Sequence, residues 1–336
     1  MRVPAKTLAA SCAVVLCMCI AASCSRKPRV WIYASMYKEV IAEMKPLLEK
    51  AMPPGVEIMW FQGGSENIAS KVNAELAAGR TRADIILTSD PFWYFELKEQ
   101  GMLLPYECAG AAAVPAYFND PDRHFSGVRL PVMVMAYNAK LVDEQDAPGS
   151  WKDLLGPRYK GKVSMPNPLE SGSAFTAVAM LERAYGWDFF RALRDQDIIV
   201  AGGNSSVITR METGERPFGI VLLENVLKAR RKGSPVKPVY PSDGTIPVIS
   251  PIAIMKDSRR PELAKKICDW FFTEEAQRAI VAGFMYSPVK KMPSPEGGRS
   301  FDDLEKELMP WSLEIQRDIF GRRQEIKNTF TELVLR

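Results

Sequence analysis

Histidine is nearly missing from this chain: among 336 residues, His124 is the single one. It lies in the polar segment NDPDRHF, which is typical of a surface loop. A hydrolase that activates a serine needs a histidine beside it, and the sequence shows no cluster of metal-ligating residues either. These absences argue against an enzyme such as a phosphatase or esterase, and against a resident metal or cofactor.

Cysteine is scarce outside the first 24 residues, which hold four of the six in the chain. The other two, Cys108 and Cys268, are too few for a disulfide framework, although a single bond between them stays open. Cys268 lies on the apolar side of the helical pattern ELAKKICDWFF. We therefore expect Cys268 to be a buried free thiol.

Long apolar runs, basic tracts, repeats and low-complexity segments are all missing after residue 24. The rest of the chain therefore has no candidate membrane span, and nothing in it favours nucleic-acid binding. Its composition, 47% hydrophobic and 25% charged with a formal net charge of +4, is that of a globular protein. The length suits two domains.

The N-terminus, in contrast, has the pattern of an export signal. Arg2 and Lys6 precede an apolar run over 8–20, and the small residues AAS stand directly before Cys24. This arrangement predicts a lipoprotein signal peptide over 1–23, with the lipid attached to Cys24. An ordinary secretory signal is the alternative. An uncleaved anchor is disfavoured because the run is shorter than the roughly 20 residues that span a bilayer.

The first hundred residues after the signal alternate between strand and helix patterns. RVWIYAS, GVEIMWFQ and ADIILTSD are apolar strand-like runs, and segments with helical spacing separate them. Such alternation predicts a parallel sheet covered by helices, with ligands at the edge where the strands end. The loops at that edge place four candidate ligand-binding residues together: Ser35, Gly64, Ser65 and Ser89.

A second α/β block follows, flanked by two long extended runs at 128–138 and 246–255. The simplest topology is a chain that crosses to a second lobe and returns. We therefore expect a first lobe built from 24–127 plus 256–336, with the C-terminal helices, and a second lobe from 128–255 that includes both crossings. A cleft between two lobes is a favoured place for a small-molecule site.

These features together resemble a bacterial ABC-transporter substrate-binding lipoprotein, of the two-lobed class that includes ferric-iron, thiamine, phosphonate and sugar-phosphate binders. The most specific segments are ADIILTSD, MAYNAKLV, SWKDLLGPRYKGKVSMPNPLESGSAF and SPIAIMKDSRRPELAKKICDWFFTEEAQ. The resemblance implies an α/β periplasmic-binding-protein fold of type II, with two Rossmann-like lobes joined by two extended crossings. It also implies a periplasmic or otherwise extracytoplasmic monomer that works with a permease and an ATPase on separate chains.

One motif within that resemblance looks like a phosphate loop. GPRYKGKV satisfies most of the nucleotide-binding pattern G-x-x-x-x-G-K-[ST], but Val163 replaces the hydroxyl that holds magnesium. The segment also leads into a strand instead of a helix. We predict a structural turn there.

The second lobe offers small polar residues at helix starts, which would face the first-lobe serines. Backbone amides at a helix N-terminus attract anions, so this arrangement favours a phosphate, phosphonate or carboxylate. The alternative is that these serines only cap their helices. The candidate ligand-binding residues here are Ser171, Gly172, Ser173, Asn204 and Ser205.

Glu224 and Tyr137 are further candidates, each with an alternative role. Glu224 follows the apolar run GIVLL and could accept sugar hydroxyls or a ligand amine, or could complement the helix dipole. Tyr137 lies at the first crossing and could contact ligand or pack the hinge. Asp90 before Pro91 is expected to cap a helix.

Iron is the family ligand that the sequence disfavours most directly. Ferric binders of this type place two adjacent tyrosines early in a second-lobe helix, since phenolate oxygens suit a hard cation. The corresponding segment FGIVLLENVLKAR has no tyrosine. Iron held by other residues, a polyamine or thiamine stays open as the solute, as does a sensing lipoprotein without transport.

Overall fold

The computed structural model describes residues 27–336, so the predicted signal peptide and Cys24 lie outside the described residues. The described chain forms two six-stranded sheets, each with its own helices and core. The strands are β1 Arg29–Ala34, β2 Glu57–Gln62, β3 Ile85–Leu87, β4 Leu103–Leu104, β5 Ser126–Arg129, β6 Val132–Asn138, β7 Val163–Met165, β8 Ile199–Val200, β9 Phe218–Leu222, β10 Val236–Val239, β11 Ile246–Pro247 and β12 Ser250–Met255.

Helices cover both sheets, as the alternation of strand and helix patterns predicts. The α-helices are α1 Lys38–Ala51, α2 Ser65–Ala77, α3 Pro91–Glu99, α4 Gly172–Tyr185, α5 Trp187–Asp195, α6 Asn204–Thr213, α7 Leu223–Arg231, α8 Pro261–Trp270, α9 Glu274–Ala282, α10 Phe301–Lys306, α11 Leu313–Gly321 and α12 Arg323–Phe330. Short 3-10 helices cover 111–113, 116–118, 144–146, 151–155 and 157–159, and a π-helical turn at 331–335 ends the chain.

The first sheet has the order β2-β1-β3-β12-β4, with β5 paired to β12. Strands β1, β2 and β3 are parallel, so the loops that follow them meet at one edge. Backbone bonds fix this edge, since Ser35 N–H donates to Leu87 O at 2.9 Å. The Asp90 carboxylate caps α3, with Pro91 at its first position, as the sequence predicts. The predicted ligand-binding edge of the first lobe is therefore present.

The second sheet has the order β10-β6-β9-β7-β8, and β11 pairs with β6. Its core holds large aromatic side chains, among them Trp151, Phe175 and Phe190. GPRYKGKV forms a 3-10 helix and a turn that lead into β7, as predicted. The two sheets confirm the α/β fold with two lobes.

The boundaries between the lobes differ from those expected, because each extended run consists of two strands in different sheets. The first run divides between β5 in the first sheet and β6 in the second, and the return run divides between β11 and β12. The expected second lobe, 128–255, therefore includes residues that belong to the first sheet. The two crossings lie side by side, since Val248 N–H donates to Pro131 O at 2.9 Å.

The C-terminal helices also lie elsewhere than expected. We assigned 256–336 to the first lobe, but Ile319, Ile326 and Phe330 of α11 and α12 pack in the core of the second. The same helices contact the first lobe, where the Gln316 side-chain amide donates to Tyr117 O at 2.9 Å. The C-terminal helices therefore bridge both lobes. The periodicity of these helices predicts an apolar face, but it does not show which of the two cores that face packs against.

Cys108 and Cys268 are buried free thiols in the first lobe, as predicted for Cys268. None of the helices between residues 27 and 336 combines the length and apolar character that a membrane span needs.

Candidate solute-binding site

A cavity of about 210 Å³ lies between the two lobes, at the edge where β1, β2 and β3 end. Several other surface depressions are larger. Those around Lys140 and around Lys290 are each lined by one lobe only, whereas a depression of about 280 Å³ adjoins this cavity and shares Tyr37 and Ser205 with it. The residues that line this cavity are Ser35, Tyr37, Gln62, Gly63, Gly64, Ser65, Ser89, Glu170, Ser171, Ser173, Gly203, Asn204, Ser205, Ser206, Leu222 and Glu224.

Most of the candidate residues from the sequence come together in this lining. They are Ser35, Gly64, Ser65 and Ser89 from the first lobe, and Ser171, Ser173, Asn204, Ser205 and Glu224 from the second.

Two candidates lie elsewhere. Tyr137 is buried in the core of the second lobe, on β6 opposite Phe218 and Lys237, because its side of the strand faces that core. Gly172 lies where the lobes touch: a Cβ atom built on it would come within 2.6 Å of Ser89 O. Neither belongs to the cavity lining, so the structure does not bring these two together with the other candidates.

Four helices begin at this cavity. Helices α2 and α6 begin at the lining residues Ser65 and Asn204, α4 begins directly after Ser171, and Glu224 is the second residue of α7. The first backbone N–H groups of a helix have no partner within it and carry partial positive charge. Four such ends around one cavity favour a ligand with negative charge.

Side-chain hydrogen bonds hold the second-lobe donors in place. The Asn204 side-chain oxygen accepts from Leu222 N–H at 3.0 Å, which directs its amide NH₂ to Ser173 Oγ at 3.1 Å. Ser173 Oγ also lies 3.0 Å from Ser171 Oγ, and Ser171 Oγ accepts from Ala174 N–H as the cap of α4. Ser171 thus serves as an N-cap and also lines the cavity.

Arg129 lies buried behind the first-lobe hydroxyls, and sequence reasoning missed it. Its side chain is 1% exposed and donates to Ser89 Oγ at 3.0 Å, Ser35 Oγ at 3.3 Å and Ser250 Oγ at 2.9 Å. Its remaining contact is with Met285 Sδ at 2.9 Å. Within residues 27–336, no carboxylate lies within 4 Å of this guanidinium group, so a buried positive charge stands without an ion-pair partner.

Glu224 is the buried negative charge of the site, 3% exposed on the second-lobe side. Burial raises the pKa of Glu224 to about 7, while the positive charge of Arg129 and its own backbone N–H act in the opposite direction. Burial likewise lowers the pKa of Arg129, and Glu224 partly offsets that effect. The two charges influence each other without forming an ion pair.

Tyr37 is another residue of the lining that sequence reasoning missed. Its hydroxyl hydrogen-bonds the side-chain oxygen of Asn225, and burial together with the nearby Glu224 carboxylate raises its pKa. The phenol therefore stays protonated at neutral pH. The described residues include no group of three or more His, Cys, Asp or Glu side chains that could hold a metal ion.

A signal for Arg129 was present in the sequence. It is the one charge within GVRLPVMVMAY, and a lone cation inside an apolar strand is buried when that strand is covered on both faces. The rest of the lining comes from strand ends, loops and a first helical turn, whose limits cannot be placed by periodicity: Gln62, Gly63, Glu170, Gly203, Ser206 and Leu222.

Comparison with known proteins identifies the family to which this chain is similar. The family model described as bacterial extracellular solute-binding protein matches residues 81–306. A probable ABC transporter periplasmic-binding protein of Sinorhizobium fredii is 26% identical, with 72% of this chain and 70% of the relative aligned. A putative 2-aminoethylphosphonate-binding periplasmic protein of Salmonella paratyphi A is 22% identical over 72% of each chain.

The solved structure of the periplasmic binding protein AfuA from Actinobacillus pleuropneumoniae, with fructose-6-phosphate bound, superposes with a TM-score of 0.80. It is 21% identical, and the match covers 92% of this chain and 99% of AfuA. The likeness confirms the two-lobed fold that the sequence predicts. From the family match over most of its length, this chain belongs to the bacterial extracellular solute-binding proteins.

Proposed function

We propose that this chain is the extracytoplasmic solute-binding component of an ABC importer and that it captures a small polar anion between its lobes. The family match supports solute binding, and the Sinorhizobium fredii relative named as an ABC transporter component supports a role in import. The loaded form would be presented to a permease and an ATPase encoded as separate chains. The proposal includes no chemical step, since the fold and family are those of binding proteins.

We further propose that the mature chain is held at a bacterial membrane by lipid on Cys24. The support is the sequence pattern before Cys24 and the family's extracellular assignment. Metabolic labelling with a radioactive or clickable fatty acid tests it. The wild-type chain should take up label and sediment with membranes, whereas Cys24→Ala should lose the label. Equal labelling of both would refute the anchor.

The observation that carries the anion proposal is the unpaired buried charge of Arg129. A buried cation costs several kcal/mol unless a partner compensates it, and the described residues supply none within ion-pair distance. Arg129 donates to Ser35 and Ser89, which line the cavity and whose hydroxyl groups can in turn donate hydrogen bonds to a ligand. An anion bound to these serines would compensate the positive charge of Arg129, which no carboxylate of the described residues does at ion-pair distance.

Closure of the lobes would complete the site. Gly172 of the second lobe already lies against Ser89 and Asp90 of the first, with no room for a side chain. Ser173 and Asn204 therefore lie across a narrow gap from Ser35 and Ser65. Hinge closure of this kind brings second-lobe donors onto a ligand held by the first lobe.

Isothermal titration calorimetry tests the proposal with the chain produced from residue 25, without lipid. The probes are inorganic phosphate, alkylphosphonates, acetate, hexose phosphates, and as non-anionic controls thiamine and spermidine. We expect at least one anion to bind, and Arg129→Gln to weaken that binding by roughly 30-fold or more, as for loss of a buried charged partner. The matched control Arg278→Gln, on the exposed face of α9, should leave the affinity unchanged.

Binding of spermidine, thiamine or ferric iron, with no anion bound and no effect of Arg129→Gln, would contradict the anion proposal. The second function that the sequence leaves open is that of a ligand-sensing lipoprotein without a role in transport. Deletion of the permease gene separates the two: import of the bound solute should stop if the chain serves an ABC importer.

A further inference from the structure

Two buried ionisable groups of opposite charge type flank the cavity, one on each lobe. Arg129 ends β5 in the first lobe, and Glu224 is the second residue of α7 in the second. The described residues that line the cavity include two carboxylates, Glu170 and Glu224, and no lysine or arginine. An anion held by the first-lobe hydroxyls would therefore share a cavity of about 210 Å³ with the carboxylate of Glu224.

Glu224 has no partner of its own. Among residues 27–336, no side chain donates a hydrogen bond to its carboxylate, and no basic group lies within 4 Å of it. The nearby cation Lys228, one turn further along α7, pairs with Glu39 at 2.8 Å instead. The backbone N–H of Glu224 itself supplies one donor, but burying a carboxylate with so little compensation is costly, so its presence needs a reason.

Two roles within the protein do not explain why the Glu224 side chain is buried. A glutamate in the first turn of a helix complements the helix dipole, but that benefit is available to an exposed side chain and does not require 3% exposure. Glu224 also attracts Arg129 through space, but the two are not in ion-pair contact. The Glu224 side chain instead lines the cavity beside Tyr37, whose ring is already covered by the Lys228 ammonium at 4.7 Å.

We propose that the solute is a zwitterion, with its anionic group on the Ser35, Ser89 and Arg129 side of the cavity and a protonated amine on Glu224. This inference rests on the proposed function and deepens it. A single molecule with both charges would compensate both buried groups when the lobes close. The small cavity favours a short aliphatic spacer between the two, as in aminoalkylphosphonates, phosphorylated amino alcohols or short amino acids.

Calorimetry with matched pairs of probes tests the inference. The pairs are 2-aminoethylphosphonate with ethylphosphonate, phosphoethanolamine with ethyl phosphate, and β-alanine with propionate. We expect the amine-bearing member of at least one pair to bind about 30-fold or more tightly than its partner, since a site built for a charged group rejects a ligand that lacks it. Glu224→Gln should remove that preference. Glu215→Gln, an exposed carboxylate of the same lobe, should keep it.

The outcomes separate this inference from the proposed function. If the amine-free probes or hexose phosphates bind as tightly as the amines, and Glu224→Gln strengthens their binding, the zwitterion is wrong and anion capture stands. If no anion of either kind binds while spermidine does, both fail. Thermal unfolding of Glu224→Gln shows whether the variant is folded. Glu224→Asp, which keeps the charge, should retain the preference for an amine.

Discussion

Arg323 donates a hydrogen bond of 2.6 Å to the carboxylate of Asp90, and this contact joins the C-terminal helices to the first lobe. Arg323 begins α12, whose residues Ile326 and Phe330 pack in the core of the second lobe. The same guanidinium group lies 3.1 Å from Glu66. We call the four residues Arg323, Lys327, Glu66 and Asp90 the C-terminal latch, since Lys327 also contacts Glu66 at 3.0 Å.

The latch lies directly behind the binding cavity. Ser65 and Ser89 line the cavity, and the residue after each of them, Glu66 or Asp90, contacts Arg323. Burial and the neighbouring Asp90 charge raise the pKa of Glu66, while Lys327 and Arg323 oppose the rise. The latch is therefore placed to couple the first-lobe loops that line the cavity to the helices that bridge the lobes.

Arg323→Gln should weaken this coupling. Because it leaves the buried Asp90 carboxylate without its cation and Glu66 with Lys327 alone, we expect a loss of about 3 kcal/mol in the free energy of unfolding. Urea unfolding measures it, with Arg191→Gln as the control, since the exposed pair of Arg191 and Asp188 should contribute less than about 0.5 kcal/mol. Equal effects of the two variants would contradict the latch.

Gly172→Ala should weaken solute binding without touching the solute. The added Cβ atom would lie 2.5 Å from Asp90 Cβ and 2.6 Å from Ser89 O, so the lobes could not approach as closely. We expect affinity to fall about 10-fold or more and small-angle X-ray scattering to show a larger radius of gyration with solute present. Gly321→Ala, with open space around it, is the control. Unchanged affinity in Gly172→Ala would show that binding does not need this contact.

The buried Glu224 carboxyl should make the solute-free protein less stable as pH rises. Its pKa in the folded state, about 7, lies above its ordinary value of 4.5, so the folded state binds the proton more tightly than the unfolded one. The resulting stabilisation is complete below about pH 4.5 and is lost as pH rises through 7. Urea unfolding from pH 5 to 8 should therefore show wild type losing up to about 3 kcal/mol relative to Glu224→Gln. A constant difference across that range would contradict the raised pKa.

Asn204→Asp tests the electrostatics of the second lobe with a change of one atom. Asn204 donates to Ser173 Oγ through its amide, and aspartate would replace that donor with negative charge beside the cavity. We expect the affinity for an anionic solute to fall about 10-fold or more, and the loss to shrink at high salt. Asn328→Asp, on an exposed face of α12, should have no effect. A gain in affinity with Asn204→Asp would indicate a cationic solute.

Much of the first-lobe half of the site follows from sequence. Ser35, Ser65 and Ser89 could be placed together because each follows an apolar strand, and parallel strands end at a common edge. Ser171 and Ser173 were predictable from the glycine and hydroxyl residues that open a helix. Whether these serines bind solute could not be predicted, because a serine that only caps a helix occurs in the same sequence pattern.

The remaining features depend on contacts that no local pattern encodes. The apolar surroundings of Arg129 in the sequence indicate burial, but only the packing of Ser250 and Met285 shows that it lies behind the cavity hydroxyls. Sequence left two roles open for Tyr137, contact with ligand or packing, because alternation along a strand gives two faces without saying which one meets the cleft. The apolar side of α12 fits either core, so its place in the second lobe is set by tertiary packing.

Native mass spectrometry of the mature chain, purified without lipid, is the most direct test of anion capture at Arg129. We expect a retained small molecule that carries a phosphate, phosphonate or carboxylate group, present on wild type and absent from Arg129→Gln under the same conditions. A retained metal, polyamine or neutral molecule that stays bound to Arg129→Gln would show that the site does not capture an anion through Arg129.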